Sequence, residues 1–593
     1  MLRITIIACL LSISNAAFAL SSITIKADTI ESDVVIVRKA ALVIDLHANP
    51  IIVLAAEIKP SADNNWMQAK LSCNVPRNLN DGTWSCAHGL VQAERIKLPF
   101  SLNVLPQSKG FSADLSVQEA SFSDEAGLHA AEKLSGNLQL NVTKDGNGWR
   151  WHNVLNWTGG EMFWQPFYVA NGGHQFIASG VFEDGIITFD SANINIKDVG
   201  QLSFDGQMRL KDYSLIRLNA DLPNLELSAA YPLIFKPLLE KTAFNNIDVA
   251  GKAALKVTIR DAELQMFDLH LNDVDISDKN NKFSFYKVNA NIPWSYDDAR
   301  TVSLAYMSGS LLNLPLGKTS ISAEVNRYSL TSPNVTLPIL DGALQLSDVS
   351  AARIGGNWHW HLGAKLAPIS MPDFSLALKL PRMEGKASAE IPQVTYTHGM
   401  LTTDGQMVFN VFSGKATVSN LVMQDPLGTV PKLNLDMSFR YLDLGDLTRT
   451  FSFGAIEGKL DGDVGNLQMQ NWKPVNFDAK IESSPGKYPK KISQRAVENI
   501  SALGGAGAAA AIQRSFLRFF KQFNYAKIGL SCKLRNDVCQ MSGVESTAGG
   551  YVIVKGSGIP AITVLGYNQT VSWSDLLGRI KRVIDGNTKA VIQ

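Results

Sequence analysis

The sequence predicts a mainly β protein, an elongated antiparallel sheet with a small C-terminal α+β unit. Three observations predict it. Apolar and polar residues alternate from about residue 22 to about 483, Asp-Gly pairs punctuate the alternation, and the composition shifts after Ser483.

The alternation has period 2. Ala253-Ala254-Leu255-Lys256-Val257-Thr258-Ile259, Leu376-Ala377-Leu378-Lys379-Leu380 and Leu433-Asn434-Leu435-Asp436-Met437-Ser438-Phe439 each set one apolar face against a more polar one. Side chains alternate across a strand, so these segments are expected as strands. Asp-Gly begins at Asp81, Asp145, Asp184, Asp205, Asp341, Asp404 and Asp461, and that pair supplies the positive φ of a tight hairpin. No helical pattern of ten residues intervenes, so parallel βαβ construction is disfavoured. Weak self-similarity links Gly148-Trp149-Arg150-Trp151-His152 with Asn357-Trp358-His359-Trp360-His361, and Asp184–Phe189 with Asp341–Leu346. It suggests growth by repeated hairpins.

Beyond a linker at Ser483-Ser484-Pro485-Gly486, Ser493 is placed to cap a helix over about Gln494–Leu503. A second helix is expected from about Ala508 to Phe523, then a hairpin holding Cys532 and Cys539, and a last helix from near Ser572. The expected division is 1–19, 20–160, 161–483 and 484–593.

The first 19 residues have the layout of a secretory signal peptide. Arg3 is the positive region, Ile4–Leu11 the apolar core and Ala17-Phe18-Ala19 the cleavage signal. Removing them leaves four of five cysteines, read as two local disulfides, Cys73 with Cys86 and Cys532 with Cys539, although four cysteines formally allow three connectivities. For the second pair, a two-residue loop at Arg535-Asn536 sets 532 opposite 539. Without Arg3 the charge balances at 54 of each sign, so there is no electrostatic footprint for nucleic acid.

No constellation reads as an enzyme. Gly317-Lys318-Thr319 ends like a phosphate loop, but Leu312 stands where the first glycine is needed. Gly505-Ala506-Gly507-Ala508-Ala509-Ala510 has dinucleotide spacing without the preceding strand. His359 and His361 share a strand face without a third ligand, so no metal is expected, and no cofactor. The basic, aromatic stretch at Phe516–Phe523 fits docking on the sheet better than lying on a membrane.

The last 140 residues carry a resemblance. Phe451–Gly462, Trp472–Ala479, Ile500–Phe520, Gly529–Cys532 with Cys539, and Gly558-Ile559-Pro560 leading to Gly566-Tyr567-Asn568 are similar to the YdbH-like branch of the AsmA-like envelope proteins. The resemblance implies that the elongated sheet is folded into a trough (β-taco-like) in the periplasm, which passes phospholipids between the inner and outer membranes of a Gram-negative envelope. It also implies a small outer-membrane lipoprotein adding strands at an open sheet edge. Relatives are held by an N-terminal helix, from which the cleavable signal departs. The physical need is clear: a phospholipid's tails hold about 30 methylenes at roughly 0.8 kcal/mol each, so crossing water unaided costs roughly 20 kcal/mol or more. The expected acyl-contacting residues are Leu255, Val257, Ile259, Leu376, Leu378, Leu380, Leu433, Leu435, Met437 and Phe439. An outer-membrane β-barrel or assembly factor, or a secreted β-rich adhesin, would share the signal and the alternation. The ending Val591-Ile592-Gln593 lacks the closing aromatic strand of a barrel.

Overall fold

The computed structural model describes residues 21–584 apart from 32–34, 46–49, 61–65, 75, 243, 381, 427–429 and 505–518. The predicted signal peptide and the Gly505–Ala510 motif therefore lie outside the described residues, as does most of the predicted second helix. Among the described residues there are forty strands and a few short helices, and the fold is mainly β. The ladders are antiparallel throughout, as period-2 alternation with short hairpins requires.

The chain divides into two units at Val274/Asp275. The expected boundary at 160/161 falls inside the strand Gly148–Trp164. The one at 483/484 coincides with the end of the strand Lys473–Ser483, yet that strand pairs directly with Gln522–Arg535, so the sheet continues into the C-terminal region.

In the first unit, thirteen ladders link fourteen strands side by side, from Ser22–Glu31 to Ile247–Arg260. At about 4.8 Å per strand this sheet is roughly 60 Å across. The second unit is built the same way, from Phe283–Ser295 onward. Its strands Ser329–Ile339, Gly342–Ile354, Asn357–Ser370 and Lys386–Thr397 follow one another as neighbours.

Helices sit where strands end. Leu444–Thr450 follows the strand Lys432–Asp443, with Asp443 Oδ1 accepting from the Asp446 N–H at 3.0 Å. The predicted Gln494 helix runs Gln494–Gly504, and Ser493 Oγ accepts from the Ala496 N–H at 3.2 Å as expected of a cap. Met371–Ala377 is also a helix, which corrects the reading of Leu376-Ala377-Leu378-Lys379-Leu380 as a strand. Its cap is Ser370, accepting from the Asp373 N–H at 3.3 Å, with Pro372 in the first turn. These signals outweigh five alternating residues. At the other end of the predicted second helix, Gln522 and Phe523 belong to a strand.

Two Asp-Gly pairs are not turns. Asp205-Gly206 and Asp461-Gly462 lie inside the strands Gly200–Arg209 and Lys459–Gln470. There the glycine serves as a slot. A Cβ at Gly462 would come within 2.9 Å of Ile481 and 3.4 Å of the Phe439 ring. At Asp184-Gly185 the expectation holds, with φ of 49° and 74° between two strands, whereas at Asp341-Gly342 the turn falls one residue earlier, on Leu340-Asp341, and Gly342 already opens the strand Gly342–Ile354.

Candidate functional site

Directly opposed residues of an antiparallel ladder share a face, so the register assigns faces without reference to side-chain rotamers. In the first unit, one row across eight strands reads Cys86, Leu102, Leu115, Leu138, Leu155, Phe176, Ile194, Leu202. The next row on the same face runs Val104, Ala113, Leu140, Asn153, Ala178, Ala192, Phe204, Ala220, Val257, with Asn153 its one polar member. The opposite face gives Ser101, Ser116, Asn137, Asn156, Gln175, Asn195, Gln201. Amides bridge it: Gln175 Nε2 donates to Asn156 Oδ1 at 2.7 Å.

The second unit repeats the division. Leu337, Leu344, Leu366, Ala389, Phe409, Ala416, Phe439, Gly462, Ile481 and Leu530 are successive partners across ten strands. The facing row is Thr336, Gln345, Lys365, Glu390, Val408, Thr417, Ser438, Asp463, Lys480, Ser531. One face is continuous hydrocarbon and the other is polar in nine positions of ten.

Among the described residues of the first unit, no second layer closes over the apolar face. From Ser22 to Val199 its fully buried apolar residues are small: Ala40, Cys73, Ala120, Ala131, Ala178, Ala192 and Val199. The large side chains of the rows are half-buried, and Leu155, Trp149 and Phe182 are exposed. Apolar rows of this length left partly open to solvent make this face the candidate binding surface.

Of the ten predicted groove residues, seven lie on these faces. Leu255, Val257 and Ile259 oppose Leu222, Ala220 and Leu218. Leu433, Leu435, Met437 and Phe439 oppose Met469, Leu467, Val464 and Gly462. Leu376 is on the Met371–Ala377 helix and 79% exposed, Leu378 is that helix's C-cap, and Leu380 follows it, exposed. These three are not on the sheet face. The aromatic rows that complete the face, Trp149 with Phe182 and Trp360 with Tyr396, escaped sequence reading, though both begin in the Trp-x-Trp segments noted as self-similar.

Both disulfides are present. Cys73 and Cys86 have Cα atoms 5.8 Å apart, and Cys532 and Cys539 5.5 Å. The second hairpin differs in register from expectation. Asn536-Asp537 forms the turn with φ of 50° and 63°, so Cys532 opposes Met541 while Cys539 opposes Leu534, and the bridge is diagonal. Short polar side chains tolerate left-handed backbone, which favours this turn over Arg535-Asn536.

Among the described residues, no three His, Cys, Asp or Glu side chains are grouped to hold a metal ion. His359 and His398 share the Thr397 hydroxyl, at 2.8 and 2.9 Å from their Nδ1 atoms. The perturbed acids are structural. Asp443 is partly buried, which opposes ionisation, yet Lys459 Nζ at 2.9 Å and the Asp446 N–H hold its carboxyl below the usual range. Burial pushes the Tyr525 phenol well above its ordinary value while its hydroxyl donates to the Glu457 carbonyl at 2.8 Å. No helix among the described residues is long and apolar enough to cross a membrane. Compared with models of known families and with curated protein sequences, the chain matches none of them.

Proposed function

We propose that the protein carries phospholipids between the inner and outer membranes of a Gram-negative envelope, sheltering acyl chains on its apolar strand faces while headgroups stay in water. One observation carries this reading: each unit holds an apolar face that passes from strand to strand over eight or more strands and is backed by a polar one. Hydrocarbon moved along such rows keeps apolar contact at every step, and no bond is made or broken. The C-terminal resemblance to YdbH-like AsmA proteins points the same way, and so do two disulfides, which belong to an oxidising compartment such as the periplasm. A small lipoprotein pairing with a sheet edge completes the proposal.

The test is photo-crosslinking at neighbouring residues of opposite faces. Crosslinkers at Leu435 and Leu255 are expected to give phospholipid adducts, and those at Asn434 and Lys256 none. Equal labelling of both faces, or none on either, overturns the reading. Leu435→Asp should stop lipid passage in a folded protein, because an uncompensated ion among acyl chains costs several kcal/mol.

A further inference from the structure

We infer that the polar face of the first unit's sheet binds a linear, neutral glycan of N-acetylated sugars, through two rows of carboxamide and hydroxyl side chains. The row from Ser101 to Gln201 is the first of them. The next row on the same face crosses the same seven strands as Asn103, Asp114, Gln139, Val154, Ile177, Asn193 and Ser203. Of these fourteen positions eight are carboxamides, three are serines and one is charged. The second unit's polar row, from Thr336 to Ser531, holds one carboxamide, Gln345, and four charges, Lys365, Glu390, Asp463 and Lys480. On the first unit's face charge returns outside the two rows, at Lys97, Arg150 and Asp205. Mixed charges are the usual means of keeping a surface in water. Here amides stand in their place over a bounded area.

Hydrogen bonds within the rows fix which half of several amides stays available. Asn156 Oδ1 accepts from Gln175 Nε2 at 2.7 Å, and Asn193 Oδ1 accepts from Ser203 Oγ at 2.7 Å and Gln201 Nε2 at 3.3 Å. Asn156 and Asn193 are left with N–H donors, and Gln175 and Gln201 with carbonyl acceptors. These four residues sit on successive strands, so donor and acceptor alternate across the sheet. Asn137, Gln139 and Asn195 are exposed and make no side-chain hydrogen bond among the described residues, so each keeps both halves.

These groups select the ligand. An anion would meet no counter-charge in the rows, and a cation only Asp114. An apolar partner would leave the amides desolvated and unpaired, which is costly for every one. A sugar hydroxyl, donor and acceptor in one group, matches a serine, and an acetamido group pairs with a carboxamide by reciprocal N–H···O=C bonds. Strands lie about 4.8 Å apart, close to the length of one sugar in an extended chain, so successive sugars meet successive strands over roughly 30 Å. The exposed aromatics Trp149 and Phe182 lie on the other face, so recognition here is by hydrogen bonds and not by stacking.

The experiment is calorimetric titration of the full chain with a β-1,4-linked N-acetylglucosamine hexasaccharide, and with the glucose hexasaccharide of the same linkage. The first should bind at least tenfold more tightly than the second, and added salt should change neither. Asn137→Ala, Gln139→Ala and Asn195→Ala combined should weaken binding on the order of 100-fold, at about fivefold per amide. Asn137→Gln with Asn195→Gln, which keeps the donors and acceptors, should stay close to the parent. Thr417→Ala with Ser438→Ala, on the second unit's polar row, should change nothing. Because the three substituted amides carry no hydrogen bond of the fold, parent and variants should unfold at the same urea concentration. No binding of the acetylated sugar, equal binding of both sugars, loss of binding with salt, or an unchanged alanine variant overturns the proposal. So does a glutamine variant as weak as the alanine one. The hydrocarbon rows lie on the opposite face, so a failure of lipid adducts at Leu435 leaves this reading standing, and the reverse holds.

Discussion

The strands of residues 67–226 and the C-terminal region from Leu442 to Leu576 use the same ladders toward opposite ends. In the first, nothing larger than valine among the described residues is fully buried before Leu225, and the big side chains of the apolar rows stay half-open. In the second, one continuous core joins Leu442, Phe477, Ile492, Val497, Phe523, Leu534, Val554 and Leu576, with Ile492, Val497, Leu534 and Val554 wholly enclosed. What differs is the covering layer. Helices Gln494–Gly504 and Trp573–Ile584 bring Val497, Ile500 and Leu576 onto the sheet, and Trp573 meets the Phe477 ring at 5.1 Å. An apolar strand face is thus a core or a surface according to whether an amphipathic helix is supplied to it.

Substitutions sharpen that contrast, and the largest effects belong to the covered region. Leu534→Ala should destabilise by about 3 kcal/mol in urea unfolding, because its cavity is enclosed. Leu138→Ala on the open rows should cost about 1 kcal/mol, since that side chain is half-exposed already. Equal costs would mean that the open rows are closed in solution.

Removing the bridges probes both regions at once. Cys532→Ser with Cys539→Ser opens a loop of sequence separation 7, and Cys73→Ser with Cys86→Ser one of 13. Chain entropy gives roughly 2–3 kcal/mol for each. Thiol counting with thermal unfolding would check the pairings, and free thiols in the parent would refute them.

Asp443 tests the helix that ends the strand Lys432–Asp443. Asp443→Ala should cost about 1 kcal/mol through the lost cap. Its carboxyl is held below the ordinary value, so its contribution is present above the unfolded value of about 3.9 and is lost as pH falls through the folded one. The stability gap between parent and Asp443→Asn should therefore close on acidification below about pH 4. A gap that widens there reverses the sign of the argument. Smallest of all, Lys256→Ala on the polar face should shift stability by less than about 0.5 kcal/mol, because its pair with Asp221 is 3.9 Å long and exposed.

Much of this was legible because strand alternation is a local property. Leu255–Ile259 and Leu433–Phe439 needed only their own neighbours to declare a face, and Ser493 declared its helix. The misreadings arose where five residues were asked to outvote their context. Leu376–Leu380 alternates, but Ser370, Pro372 and Asp373 upstream begin a helix, and those residues were available to be read. Asp461-Gly462 looks like a turn until its cross-strand neighbours Phe439 and Ile481 are known, and they are distant in sequence. The pairing of rows across strands is likewise a matter of register, which bulges such as the one between Ser347 and Ser350 reset.

The register also governs how such a chain can change its length. Each strand in a row answers only to the two beside it, and consecutive strands run in opposite directions. Excising the two strands Ile186–Ile196 and Gly200–Arg209 would bring His174–Glu183 against Ser214–Glu226 in the same antiparallel sense, with Phe176, Ala178 and Phe182 still on the hydrocarbon side. Excising one strand would leave its neighbours parallel and unable to join through a tight turn. The unit of inheritance for reach is therefore the hairpin, and kin of this molecule should differ in span by steps of about 10 Å.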